Sequence, residues 1–198
     1  MLKLYDVALS GNCHKVRLML SLLAKEFELI PVDLFSGEGQ TPEFLKLNPL
    51  GEVPVLVDGD IILRDSQAIL VYLAKRYGNE TWLPTEAEAL AHVMEWLFFA
   101  ANYIRQGTEF ARRYYKFNLK LDVELATERA YAVLKILDDR LSEKPWLAGD
   151  DLTIADIACF PYIGLAPEGK INLDSYPNVI TWLERIKQLP GYLSMPGL

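Results

Sequence analysis

The stretch GEVPVLVDGDIILRDSQAIL, residues 51–70, decides the fold. It contains two short apolar runs, VPVLV and IIL, which are separated by the turn sequence DGD. Two such runs joined by a short polar turn predict a β-hairpin. The helical pattern of DSQAILVYLAKRY follows at once, and either Asp65 or Ser66 is placed to cap its N-terminus. The stretch therefore predicts a unit of strand, strand and helix.

Four further elements precede this hairpin. The run LKLYDVAL predicts a buried strand, CHKVRLMLSLLAKEF has apolar residues at helical spacing, and ELIPVDL is a second strand-like run. In GEGQTPEFLKLNP, Thr41 is placed as the N-cap of a short helix and Pro42 as its first residue. Residues 1–77 therefore predict an α/β domain with a mixed four-stranded sheet.

The pattern changes after a linker at residues 78–85. Residues 86–142 carry two long helical segments and almost no strand signal. A third helix begins after Thr153, where the sequence LTIADI resembles a capping box with Asp156 in its third position. A last helix ends at Pro190 and Gly191. We therefore predict an all-helical domain over residues 86–198.

Composition and charge exclude several classes of function. The chain has 198 residues and a formal net charge of −7, so nucleic acid and anionic membranes should repel it. Two cysteines are too few for a disulfide scaffold, and no apolar run approaches the roughly 18 residues of a membrane helix. The first ten residues lack the flanks of a signal peptide. We expect a soluble cytoplasmic protein that binds neither nucleic acid nor membrane.

The segment SGNCHKV, residues 10–16, has the form of a C-x-x-C redox motif whose first cysteine is replaced by Ser10. A hydroxyl cannot be half of a dithiol couple, so thiol chemistry at this site needs a sulfur from the ligand or another protein thiol. Cys13 is the alternative, because a helix N-terminus lowers the pKa of a cysteine. Its spacing with Val16 and Leu20, however, places Cys13 on the buried face of the helix.

Four motifs together resemble the glutathione S-transferase family. They are SGNCHKVRL, NPLGEVPVL, DSQAILVYL and LTIADIACFPYI, and their order and spacing cover nearly the whole chain. The resemblance implies a thioredoxin-like domain followed by a helical domain, usually assembled as a homodimer. It also implies a detoxification enzyme that uses glutathione as co-substrate, without a metal, and conjugates it to a small electrophile.

The resemblance assigns roles around the glutathione thiol. Ser10 would donate a hydrogen bond to the thiolate, as the serine of the theta-like branch does, and Asn12 would be a second donor, as in bacterial relatives that reduce disulfides. Pro54 would follow a cis peptide bond, and the backbone of Val53 would pair with the cysteinyl backbone of glutathione. Tyr5 is an alternative, because some classes use a tyrosine near this point, but its position indicates the aromatic residue of the first strand.

The two ends of glutathione need further partners. Ser66 lies at a helix N-terminus, where an anion is favoured, and Asp65 beside it offers a charge to an amine; a γ-glutamyl group carries both a carboxylate and an amine. The alternative is that these residues only cap the helix. Gln40, by its approximate position, is the candidate donor to the glycyl carboxylate. Glu52 stands where the family often has a polar or basic residue, and its acid would repel that carboxylate if it pointed inward.

The aromatic segment at residues 95–117 is the candidate wall of an electrophile pocket, with Tyr103, Arg112 and Tyr114 as its expected lining. The alternative is that Trp96, Phe99 and Tyr103 are core residues at helical spacing.

Two other functions remain open at this stage. The first is a glutathione-dependent disulfide reductase, which would use Ser10 and Asn12 to hold one glutathione thiolate. The second is a binding or regulatory protein with the transferase fold and no catalysis, although the intact SGN, VP and DS motifs argue against it.

Overall fold

The computed structural model describes residues 1–198, and its first domain is an α/β layer. The sheet has the strand order β2-β1-β3-β4; β1 pairs with β2 in parallel and with β3 antiparallel, and β3 and β4 form the antiparallel hairpin. The prediction of a mixed four-stranded sheet is therefore confirmed. The elements are β1 (Leu2–Asp6), α1 (Gly11–Leu22), β2 (Phe27–Pro31), a 3-10 turn (Glu38–Gln40), α2 (Pro42–Leu47), β3 (Val55–Asp58), β4 (Ile61–Arg64) and α3 (Ser66–Tyr77).

The second domain is helical, as predicted. No helix or strand occupies residues 78–86, and the exact domain boundary at 78–85 stays a prediction. None of the helices combines the length and the apolar character that a membrane crossing requires. The elements are α4 (Ala87–Phe99), a π-helical segment (Ala100–Glu109), α5 (Phe110–Phe117), α6 (Val123–Glu143), α7 (Ile154–Gly164), a 3-10 turn (Ala166–Gly169) and α8 (Pro177–Lys187).

The π-helical segment is the main departure from the sequence pattern. Between α4 and α5 the backbone turns are wider, and the amide of Phe110 reaches back five residues to the carbonyl of Arg105. Gly107 allows this segment to lie against α6, because a Cβ there would sit 2.9 Å from the amide nitrogen of Ala130.

Helix α7 is the centre of the second domain and is almost wholly buried. The predicted capping box is present: the Asp156 carboxylate accepts hydrogen bonds from the amides of Thr153 and Leu147 and from the Trp182 indole, each at 3.0 Å. Burial raises the pKa of Asp156 to about 6, although the hydrogen bonds from these donors act to lower it. The group is therefore ionised at neutral pH. One carboxylate thus joins α7, the preceding loop and α8.

The two domains share one apolar core, in which α1 packs against α7. Gly11 makes the close approach possible, because a Cβ at this position would lie 2.8 Å from the ring of Tyr162. The N-terminus of α1 is therefore held directly against the second domain, at the edge of the cleft between them.

Candidate active site

A cavity of about 790 Å³ lies between the two domains. The first domain contributes the turn before α1, the loop before β3 and the N-terminus of α3. The second contributes the π-helical segment, α5 and Tyr162. This size and this position at a domain boundary are typical of a site for small molecules.

Both domains fix the backbone of the turn that carries Ser10. The guanidinium of Arg17 on α1 donates to the carbonyl of Ala8 at 3.0 Å, and the guanidinium of Arg112 on α5 donates to the carbonyl of Leu9 at 3.0 Å. Two guanidinium contacts to successive carbonyls hold the turn at a defined position relative to both walls of the cavity.

Ser10 is the N-cap of α1 and lines the cavity. Its Oγ accepts a hydrogen bond from the amide of Cys13 at 3.3 Å. Because this bond uses a lone pair of the oxygen, the hydroxyl proton is available to a ligand. The positive end of the helix dipole lies at the same point and favours an anion there.

The structure disfavours both alternatives to Ser10. Cys13 is fully buried, and burial, with the nearby Asp6 carboxylate, raises the pKa of its thiol to about 12, so the thiolate is scarce at neutral pH. Tyr5 does not line the cavity; its ring packs edge-on against Phe44, with 6.0 Å between ring centroids. Neither residue offers an acidic group to a ligand in the cavity.

Asn12 lines the cavity beside Ser10, and a buried lysine orients its amide. The Asn12 Oδ1 accepts from the ammonium of Lys15 at 2.8 Å and from the Ser66 hydroxyl at 3.3 Å. An ammonium can only donate, so the oxygen end of the amide is directed at Lys15. The NH₂ end of Asn12 is thereby left for a ligand.

The peptide bond between Val53 and Pro54 is cis, which confirms the prediction from the sequence. Both residues line the cavity. The loop before them is held by Asn48, whose side-chain amide donates to the carbonyl of Glu52 at 2.7 Å.

Asp65 is the N-cap of α3 and also lines the cavity, so the two interpretations of this residue are compatible. Its Oδ1 accepts from the amides of Gln67 at 2.9 Å and Ala68 at 3.1 Å. Because both bonds use the same oxygen, Oδ2 is left for a ligand. Ser66 lies next to it at the start of the helix and is buried.

The remaining expected site residues divide into two groups. Glu52 and Arg112 line the cavity, whereas Gln40, Tyr103 and Tyr114 do not. Tyr103 lies outside this cavity, and it is not a core residue either, because its side chain is 57% exposed. It borders a shallow depression elsewhere on the surface. Tyr114 packs against Tyr115 instead.

The spacing of the lining residues explains the position of Tyr103. Ala101, Arg105 and Glu109 recur at every fourth residue and line the cavity, so residue 103, two positions from Ala101 and from Arg105, lies on the opposite side of the segment. The neighbours Arg112 and Arg113 continue this lining from α5, which leaves Tyr114 outside.

Sequence reasoning missed several lining residues. For Arg105, Glu109 and Arg113 a signal existed, because their spacing of four residues places charged groups on one side of a helix. No local signal marked the others. They include Arg64, Asn48, Leu34, Phe35, Phe117 and Leu119.

Comparisons with known proteins agree with this architecture. Residues 4–81 match the model of the glutathione S-transferase N-terminal domain, and residues 91–190 match that of the C-terminal domain. The chain is 32% identical to the disulfide-bond oxidoreductase YfcG of Escherichia coli K12, over 96% of this chain and 92% of that protein. It is 34% identical to glutathione S-transferase 3 of Zea mays, over 96% and 91% of the two chains. A solved glutathione S-transferase from Pseudomonas fluorescens Pf-5 superposes with a TM-score of 0.93 at 33% identity, covering 98% of each chain. The chain belongs to the glutathione S-transferase family of enzymes.

Proposed function

We propose that this protein is a transferase of the serine type, which ionises bound glutathione and conjugates it to a small electrophile. The observation that carries the proposal is the position of Ser10, whose hydroxyl borders the cavity at the N-terminus of α1. The only protein thiol near this point, Cys13, is buried and has a raised pKa. The reactive sulfur is therefore expected to come from the co-substrate.

Ser10, Asn12 and the N-terminus of α1 can supply the free energy that ionisation of the glutathione thiol requires. A cysteine thiol has a pKa of roughly 8.5, so at pH 7 only about 3% of it is thiolate. A shift of two units requires about 2.7 kcal/mol of stabilisation of the thiolate. A hydroxyl donor and the positive end of α1 together supply that order of energy, and the NH₂ group of Asn12 is a second donor.

The rest of glutathione has matching groups along the first-domain wall. The Val53 backbone would pair with the cysteinyl residue, and the backbone amide of Ser66, at the start of α3, would bind the γ-glutamyl carboxylate. Asp65 would bind the γ-glutamyl amine through its unused Oδ2. For the glycyl carboxylate, Gln40 stays the predicted donor: it does not line the cavity itself, but its side-chain nitrogen lies beside Gly51, between the lining residues Leu50 and Glu52.

In the reaction, the thiol proton leaves to solvent and the thiolate attacks an electrophilic carbon. With an aryl halide, the new C–S bond replaces the carbon–halogen bond and the halide departs. With an activated alkene, the new bond leaves a carbanion that takes a proton from water. Ser10 remains a hydrogen-bond donor throughout and forms no covalent bond.

Asp65→Asn should weaken glutathione binding about 10- to 100-fold, because a charge-assisted contact to an amine is worth about 1.5–3 kcal/mol. Asparagine keeps the oxygen that caps α3 and tolerates the positive φ of 71° at this position, so the melting temperature should change little. Calorimetric titration with glutathione measures the effect. An unchanged dissociation constant would reduce Asp65 to a helix cap.

A glutathione-dependent disulfide reductase is the second candidate, and Asn12 favours it. Its free NH₂ group lies beside Ser10, and the two donors could hold the thiolate released from a glutathione disulfide. The similarity to a relative named as a disulfide-bond oxidoreductase supports the same candidate. Comparing rates with a mixed disulfide of glutathione and with an aryl halide separates the two reactions.

A non-catalytic binding or regulatory role has less support, because the cavity is open and Ser10, Asn12, Asp65 and Ser66 all line it. A cytoplasmic location and a part in detoxification remain predictions from the sequence.

We also predict a homodimer in which the first domain of one subunit meets the helical domain of the other. The side chains of Phe98 and Tyr103 support this, because they are 66% and 57% exposed and lie together on one side of α4 and the π-helical segment. Light scattering at micromolar concentration should give twice the chain mass of 22.5 kDa. A mass of one chain would contradict the prediction.

A further inference from the structure

The second-domain wall of the cavity is unusually basic for an acidic protein. Three arginines, Arg105, Arg112 and Arg113, line it together with a single acid, Glu109. The chain as a whole has a net charge of −7. Positive charge is therefore concentrated at the wall that faces away from the expected glutathione site.

Arg112 has a donor that no protein group uses. Its side chain is almost fully buried; Nε donates to Glu168, and Nη1 donates to the carbonyl of Leu9 at 3.0 Å. The third nitrogen, Nη2, is buried and has no hydrogen-bond partner in the protein. A buried donor without an acceptor is unfavourable, and an oxygen of a ligand in the adjacent cavity can satisfy it.

Arg105 forms no ion pair. The one acid of this wall, Glu109, forms an ion pair with Arg113 at 3.7 Å, and the charges of Lys15, Arg105 and Arg112 also act on it. The wider turn of the π-helical segment places Arg105 and Glu109 on the same side, facing the cavity. Positive charge thus exceeds negative charge at this wall, even though Glu168 offsets Arg112 from behind.

We propose that the second-substrate part of the cavity selects electrophiles that carry a carboxylate on an apolar body. Arg105 and the unused Nη2 of Arg112 would bind the carboxylate, because guanidinium groups match its two oxygens. Leu34, Phe35 and Phe117 line the same cavity and would contact the apolar body. The inference rests on the proposed function and adds a substrate class to it.

The experiment compares two aryl halides that differ only in charge, a chlorodinitrobenzoate and the corresponding chlorodinitrobenzamide. For each substrate, kcat/KM at saturating glutathione is divided by the rate constant of its uncatalysed reaction with glutathione, which removes the difference in intrinsic reactivity. The normalised value should favour the carboxylate by about 10-fold or more. Arg105→Gln should abolish most of that preference.

Arg76→Gln is the matched control. It also removes one positive charge, but Arg76 lies in the last turn of α3, outside the cavity. It should leave the preference intact. Arg105 is the residue to change, since Arg112 also holds the Ser10 turn and its loss could disturb folding. Calorimetry with glutathione alone should give the same dissociation constant for Arg105→Gln and the unmodified protein.

The outcomes separate the inference from the proposed function. Turnover of both substrates with equal normalised rates would overturn the inference and leave the transferase activity in place. A glutathione affinity that falls with Arg105→Gln would also overturn it, since Arg105 would then bind a carboxylate of glutathione. Failure to turn over either substrate would overturn both.

Discussion

Ser10→Ala should lower the rate of conjugation at pH 7 about 10- to 100-fold, because one charge-assisted hydrogen bond to the thiolate is worth roughly 1.5–3 kcal/mol. Glutathione binding should barely change, since the contacts of Val53, Asp65 and Ser66 remain. Raising the pH should recover part of the lost rate, because it restores the thiolate that the hydroxyl no longer stabilises. Rates with an aryl halide from pH 6 to about pH 9, a range that crosses the ordinary thiol pKa, measure this recovery.

Two variants serve as controls for this result. Ser10→Thr keeps both the hydroxyl and the cap of α1, so it should retain most of the activity. Cys13→Ala should cause only a packing loss, because its thiol is buried. The alanine at position 10 also removes a cap worth about 0.5–2 kcal/mol, so rates must be taken well below the melting temperature of each variant. An inactive Cys13→Ala with an active Ser10→Ala would assign the chemistry to the protein thiol.

Asp156→Ala should destabilise the protein by more than about 3 kcal/mol, which is a large part of a typical stability of about 5–15 kcal/mol. The substitution leaves the amides of Leu147 and Thr153 and the indole of Trp182 without their acceptor, all in buried positions. Each buried unsatisfied donor costs about 1–3 kcal/mol. Denaturant unfolding measures the loss.

Asp150→Ala is the matched control for this prediction. Asp150 pairs with Lys144 at the surface, and its side chain is 74% exposed, so its loss should cost no more than about 1 kcal/mol. If Asp156→Ala cost no more than this control, the carboxylate would not be the junction of α7 and α8.

Local sequence signals were sufficient for most of the fold. The hairpin turn, the caps at Thr41 and Thr153, and the helical spacing of α1 and α3 each depend on residues close together in the chain, and all are present. The first-domain part of the site was predictable from local motifs and from the family resemblance that they carry. Ser10 stands in the SGNCHKV motif, and Asp65 or Ser66 was expected at the cap of α3.

The second-domain wall was less predictable, because the facing side of a helix depends on packing between distant segments. In the π-helical segment Arg105 lines the cavity and Tyr103, two positions away, does not, so the rotational register of the segment decides which residues line the site. The close approach of Gly107 to α6 shows that this register depends on a contact with residue 130. Gln40 does not line the cavity for a related reason, since a position within a loop does not fix the direction of its side chain, and its role stays a prediction.

The most direct test is the pKa of the thiol in bound glutathione, followed by the ultraviolet absorbance of the thiolate against pH. In the unmodified protein we expect a pKa well below the roughly 8.5 of a free cysteine thiol. In Ser10→Ala the pKa should rise by about one to two units, with Cys13→Ala unchanged. Equal values in the unmodified protein and in Ser10→Ala would contradict the claim that this hydroxyl stabilises the thiolate.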